Sequence, residues 1–138
     1  MEKNNQVEQK YAELQALQQK LSQLQQQISM FSSQATEFKK LSQNLKDLKE
    51  VKNNTETLSS IGAGIFVKSE IKDSKKVIMN IGANTFVTKS VDEADKLVEK
   101  QIRELDETKK ECEVTFQEAI MHAQKLEQEV MALSAKTK

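Results

Sequence analysis

Few side chains in this sequence could do chemistry. His122 is the sole histidine among 138 residues. Imidazole is the commonest general acid or base near neutral pH and a frequent zinc ligand. Either role needs company, whether a reactive group within hydrogen-bond reach or further ligands at metal spacing. No cysteine and no nucleophile lies near His122 in the sequence. Cys112, the sole cysteine, could act as a thiolate if flanking cations lowered its pKa. Lys109 and Lys110 are within a turn of it, but no glycine-rich loop carries it. It falls instead on an apolar helical line, where a thiol packs as a small hydrophobe. Gly62-Ala63-Gly64 could begin a phosphate loop. That motif requires Gly-Lys-Ser/Thr and then a helix, and neither follows. A catalytic site, a metal site and a cofactor are therefore not expected, and neither is an enzyme.

The elements that hold these residues carry more information. The chain has 37% hydrophobic and 30% charged residues, no Pro, no Trp and three Gly. That is the make-up of long helices rather than of a compact globule. Lys+Arg and Asp+Glu balance at 21 each. A nucleic-acid or anionic-membrane partner needs a basic excess, so neither is expected. One cysteine permits no internal disulfide. No apolar run approaches the roughly 20 residues of a membrane span. The first ten residues lack the apolar core of a secretory signal. A cytoplasmic location is the expectation.

From about Val7 to Val51 no Gly or Pro interrupts a helix. Leu14, Leu21, Ile28 and Ala35 form one heptad line; Leu17, Leu24, Phe31, Phe38 and Leu45 form the other. Two such lines make a seam that needs a partner helix. Past Phe38 the seam is expected to slip, through Leu41, Leu45 and Leu48, with polar Ser42 at the expected position. A Gln-rich face, including Gln18, Gln19, Gln23 and Gln25 to Gln27, reads as solvated. The helix would be roughly 65 Å long.

Lys52-Asn53-Asn54-Thr55 ends the pattern, because Asn and Thr favour turns. Asn53-Asn54-Thr55 matches a glycosylation sequon, taken here as chance. Ile61 to Ser90 then holds all three glycines and repeats itself: Ile61-Gly62-Ala63 recurs as Ile81-Gly82-Ala83, and Phe66-Val67 as Phe86-Val87. Ile65, Val67 and Ile71 alternate with Lys68, Glu70 and Lys72, as in a strand. Asp73-Ser74-Lys75 is a turn. A second strand, Lys76 to Ile81, has Val77, Met79 and Ile81 on one face. Gly82-Ala83-Asn84 turns into a third, Thr85 to Lys89, and a short strand precedes the first around Glu56 to Ile61. Phe66, Ile78 and Phe86 lie opposite Val67, Val77 and Val87, so both faces are apolar. Isolated hairpins are marginal and their edges are unpaired. Strands from other chains would satisfy both needs. The expected joining residues are Ile61, Gly62, Ile65, Phe66, Val67, Val77, Ile78, Met79, Ile81, Gly82, Phe86 and Val87.

Ser90-Val91-Asp92-Glu93 is a capping box with acid where a helix dipole favours it. Every seventh residue from Val98 gives Leu105, Cys112, Ala119, Leu126 and Leu133; a second line gives Ile102, Lys109, Phe116, Ala123 and Val130. Lys109 would pack its stem and extend its ammonium to water. Two seams flanking a turning region should fold together antiparallel, placing Leu126 near Leu14 and Leu133 near Val7. The expected fold is mainly α with a small β region. A long antiparallel two-helix coiled coil is joined by two β-hairpins that enter an inter-subunit sheet or β-barrel. Its parts are a helix over 1–52, an oligomerisation region over 53–90 and a helix over 91–138. Val7, Tyr11, Leu14, Val130, Met131 and Leu133 lie where the helices end; either they are partly exposed there and, with Leu126, hold apolar segments weakly, or the coil stays zipped to its end.

The strand block from Ile61 to Ser90, set between a coiled-coil helix and a capped second one, resembles an α-class subunit of the prefoldin family. The resemblance covers nearly the whole chain, and the strand block is its specific part. Four strands fit the α class; the β class has a single hairpin. Many relatives carry Val-Pro where this chain has Ser59-Ser60. The resemblance implies a hexamer of two α- and four β-class subunits, built on a double β-barrel with coiled coils extending from it. It implies an ATP-independent holdase that captures unfolded client proteins at the coiled-coil tips and passes them to a group II chaperonin. The rival reading is a structural coiled-coil scaffold or tether.

Overall fold

A computed structural model describes residues 2–136. Helix α1 is Glu2–Lys49 and helix α2 is Val91–Lys136; between them in sequence come β1 (Thr55–Gly62), β2 (Ile65–Ile71), β3 (Lys76–Gly82) and β4 (Thr85–Ser90). The residues form two compact units. One takes the chain up to Gln34 and again from Glu104; the other is Ala35–Arg103.

In the first unit the two helices close over a seam. Leu14, Ala123 and Leu126 are buried together, with Leu17 and Leu21 packed against them. Lys10 donates a 2.6 Å hydrogen bond to the Glu129 carboxylate across the pair. Antiparallel pairing with Leu126 beside Leu14 is therefore what the heptad lines called for. The other seam positions, from Leu21 to Phe31 and from Leu105 to Phe116, are half-buried. Cys112 is among them. So is Lys109, whose ammonium stands 3.8 Å from Glu113 one turn on. His122 is exposed.

The second unit is built where the helices meet the strands. Leu45, Val91, Ala94 and Val98 make its core, and Phe38, Leu48, Val77, Met79 and Ile102 pack around them. The expected slip of the seam does not occur here. Ser42 is 5% exposed and Leu41 is 41% exposed, so the heptad continues straight through the serine. The reason lies 53 residues away: the Ser42 hydroxyl donates to the Asp95 carboxylate at 2.6 Å. A satisfied polar group is tolerated in a seam and fixes its register.

The strands form two separate two-stranded antiparallel sheets, β1 with β2 and β3 with β4. The internal repeat is structural. Ser60 pairs with Phe66 and Gly62 with Ile65; Asn80 pairs with Phe86 and Gly82 with Thr85, each counterpart numbered 20 higher. Both turns place two residues at positive φ, Ala63 and Gly64 in one and Ala83 and Asn84 in the other. That is the backbone a two-residue hairpin loop demands. Gly62-Ala63-Gly64 is thus a hairpin turn leading directly into a strand. A register shift leaves Ile61 and Ile81 as extra residues just before each turn. This corrects the expected face of Ile81: Val77 and Met79 are half-buried against the core, while Ile81 is exposed.

Polar groups tie the hairpins to the helices. The Ser90 hydroxyl accepts from the Glu93 amide at 3.1 Å, the helix cap expected from sequence. The Val91 amide donates to the Lys75 carbonyl at 2.9 Å. The Lys75 ammonium donates to the Lys49 carbonyl near the end of α1, also at 2.9 Å. Asn53 accepts from the amide and hydroxyl of buried Ser74 at 3.0 and 3.3 Å. Asp73-Ser74-Lys75 therefore turns the chain from one hairpin to the next, between the two helix ends. Strand β1 continues through Ser59-Ser60, and the Ser59 hydroxyl hydrogen-bonds that of Ser69 at 2.7 Å.

Lys49 forms an ion pair with Asp92, as Lys10 does with Glu129, and three of these groups titrate away from their ordinary values. The hydrogen bond from Lys49 holds the Asp92 carboxyl below the usual range and Asp92 raises the Lys49 ammonium; the bond from Lys10 lowers Glu129. A carboxyl that is more acidic in the folded chain stabilises it above the unfolded pKa. That contribution is lost as pH falls through the folded value. The raised lysine contributes fully below the ordinary lysine pKa and loses its contribution only above it. Melting temperature should therefore decline once pH drops below about 4. The doubly substituted Asp92→Asn, Glu129→Gln chain should show a shallower acid decline when followed by circular dichroism. The effect is small, because both pairs are open to solvent.

Candidate functional site

Residues that face each other across a hairpin, and every second residue along it, share a face. Leu58, Ser60, Phe66 and Lys68 form one face of the first hairpin; Ile78, Asn80, Phe86 and Thr88 form the matching face of the second. The opposite faces differ. In the second hairpin that face is Val77, Met79, Val87 and Lys89, and Val77 and Met79 pack on the helix core. In the first hairpin the equivalent positions are Thr57, Ser59, Val67 and Ser69, mostly polar. Apolar substitution in one copy of the repeat thus anchors that hairpin to the helices.

What remains is a concentration of uncovered apolar side chains. Leu58, Ile61, Ile65, Phe66, Val67, Ile78, Ile81 and Phe86 are all between 44% and 72% exposed. Single exposed apolar residues are ordinary, but several on each hairpin are more than solvation explains and point to an interaction surface. Each two-stranded sheet also leaves its outer edges unpaired. Of the residues expected to join other chains, Ile61, Ile65, Phe66, Val67, Ile78, Ile81 and Phe86 stand open. Val77, Met79 and Val87 are half-buried, and Gly62 and Gly82 shape the turns. Leu58 was not among the expected residues. Extending the repeat by a few residues finds it, because its counterpart 20 later is Ile78.

The residues expected at the helix ends differ in exposure. Tyr11 and Met131 are 54% and 72% exposed. Val7, Val130 and Leu133 are half-buried. The expectation of partial exposure is corrected for Leu14, and Leu126 is likewise closed: they are buried at 9% and 4% in the seam cluster with Ala123. Among the described residues no group of His, Cys, Asp and Glu could hold a metal ion. No helix among them is long and apolar enough to cross a membrane.

Paired long helices carrying two hairpins between them define a class of protein: a helical chain whose hairpins present exposed apolar side chains and unpaired strand edges. The chain belongs to the prefoldin family, whose profile, described as "Prefoldin subunit", matches residues 17–136. A comparison with curated protein sequences finds no match. Among solved structures the chain is similar to one from filamentous PFD of Methanocaldococcus jannaschii, at 20% identity and a TM-score of 0.72, over 82% of this chain and 93% of that one. At that identity the likeness establishes the fold: two long helices with two antiparallel hairpins between them. The family is a chaperone scaffold and not an enzyme family, so the chain is a chaperone-type subunit.

Proposed function

We propose that this chain is an α-class prefoldin subunit, acting in the cytoplasm as part of an ATP-independent holdase. Residues 53–90 are its oligomerisation region, and residues 1–52 and 91–138 are its coiled-coil arm. Two copies join four β-class subunits through the hairpins. The ends of the arm hold non-native proteins, which then pass to a group II chaperonin. The observation carrying this reading is the paired apolar face, Leu58 with Phe66 and Ile78 with Phe86, on hairpins whose edges lack partners. Two hairpins, where the β class has one, support the α assignment. A scaffold that dimerised through its helices would need those seams free. Here they are occupied within one chain, by the Lys10–Glu129 and Ser42–Asp95 contacts among others.

The client-holding role is assigned to Val7, Tyr11, Val130, Met131 and Leu133. Leu14 and Leu126 join them only when the last turns separate. Weak apolar contacts of this kind suffice when several arms act on one client, because the effective local concentration is high. The experiment removes the residues before Leu14 and after Leu126 and assembles the shortened chain with a β-class partner. The complex should keep its size but lose suppression of aggregation when a denatured protein is diluted into buffer. Undiminished suppression would place client binding elsewhere.

A further inference from the structure

We propose that the outer face of α2 carries a second docking site, for a basic amphipathic helical segment of another protein. It lies within the unit formed by the two ends of the chain and stands apart from the helix ends discussed above. An open groove of about 1150 Å³ runs there. Ile28 and Phe116, half-buried at the seam, line it together with Val114 and Met121. Those two are 57% and 69% exposed, although the helix they sit on is otherwise richly charged. The seam between α1 and α2 does not use them.

Two observations select the occupant. The first is spacing. Val114, Gln117, Met121, Gln124 and Gln128 step by three and four along α2, and all are exposed. This is an uncharged line of exposed positions outside the seam between α1 and α2. Outward positions of a fully solvated coiled coil normally carry charges. A heptad line asks for a helix laid along it, and the groove from Lys110 to Met121 accommodates about three turns. Exposed methionine suits such a surface, since its thioether chain adapts to varied shapes. The second is charge. Three carboxylates, Glu111, Glu113 and Glu118, line the groove against one ammonium, Lys110. Glu113 also shares Lys109 at 3.8 Å, which leaves Glu111 and Glu118 as the rim's principal anions. Apolar anchors flanked by Lys or Arg complement such a rim, and acidic segments are repelled by it.

The test uses the full chain and two fluorescent peptides of about 18 residues, long enough to be helical. Both carry leucines at helical spacing; one has lysine at its remaining positions and the other glutamate. Anisotropy titration should show the lysine peptide binding at least roughly tenfold more tightly than its acidic twin, with affinity falling as salt is added. Val114→Ser with Met121→Ser should weaken it by roughly tenfold or more, since exposed positions can change without unfolding the chain. Glu111→Gln with Glu118→Gln should reduce the salt dependence. Unchanged helical circular dichroism serves as the control for folding. Equal binding of both peptides, or indifference to the serine variant, overturns the proposal. So does loss of binding only on removing the helix ends, which would assign the peptide to the client-holding residues. If the serine variant leaves peptide binding intact but alters the sedimentation of the chain alone, a second copy covers this face and the proposal fails.

Discussion

Substituting Phe66 and Phe86 with aspartate is expected to yield a folded chain that no longer joins others. Both rings stand more than half exposed in the single chain, so their removal costs the chain itself little. In an assembly they would be covered by foreign strands. Burying each ring contributes roughly 2 kcal/mol or more, and a carboxylate left in its place adds a desolvation cost. Two positions together should weaken association by a factor on the order of a thousand. Light scattering after mixing with a β-class partner reads the result directly, and circular dichroism should show undiminished helix. A complex that survives both aspartates would mean that the hairpin faces are not the joining surface.

The second large effect concerns the core that holds hairpin and helices together. Leu45→Ala should lower unfolding free energy by roughly 2–4 kcal/mol, because Val91, Ala94 and Val98 cannot collapse fully into the space left. Leu41→Ala, four residues earlier in the same helix, should change it by no more than about 0.5 kcal/mol. Denaturant melts of the two variants compare a seam residue with one outside it. Equal losses would indicate that the seam does slip at Ser42 after all.

That comparison also marks where the sequence is legible and where it is not. The heptad lines on α2 are readable because apolar residues recur every seven positions, and each residue on them from Val98 to Leu133 is buried or half-buried. The cap at Ser90 is readable because donor and acceptor are three residues apart. Ser42 escapes a reading of the sequence because its partner, Asp95, lies in the other helix. Periodicity records which residues are apolar, and it cannot show that a hydroxyl has found a carboxylate across the fold. Ile81 falls on the wrong face because strict alternation has no provision for an extra residue before a turn. Leu14 is expected to stand partly open because the apolar pattern runs on to the helix ends. Packing with Ala123, Leu17 and Leu21 closes the seam over it.

The repeat is the richest local signal. Its glycines and Phe-Val pairs identify two hairpins, and the structure shows one register serving both. Aligned residue by residue, it also separates the hairpin that rests on the helices, with Val77 and Met79, from the one with Thr57 and Ser59 in those places. The apolar content of each face then distinguishes what it does. The face of Val77 and Met79 packs on the helix core of its own chain, while Phe66 and Phe86 stand exposed and are the ones proposed to meet another.

Native mass spectrometry of this chain with a β-class prefoldin subunit tests that claim most directly. The mass should correspond to two copies of this chain and four of the partner, and the complex should be absent when residues 53–90 are replaced by a flexible linker. A chain that stays single in the presence of the partner, with its hairpins intact, would contradict the account.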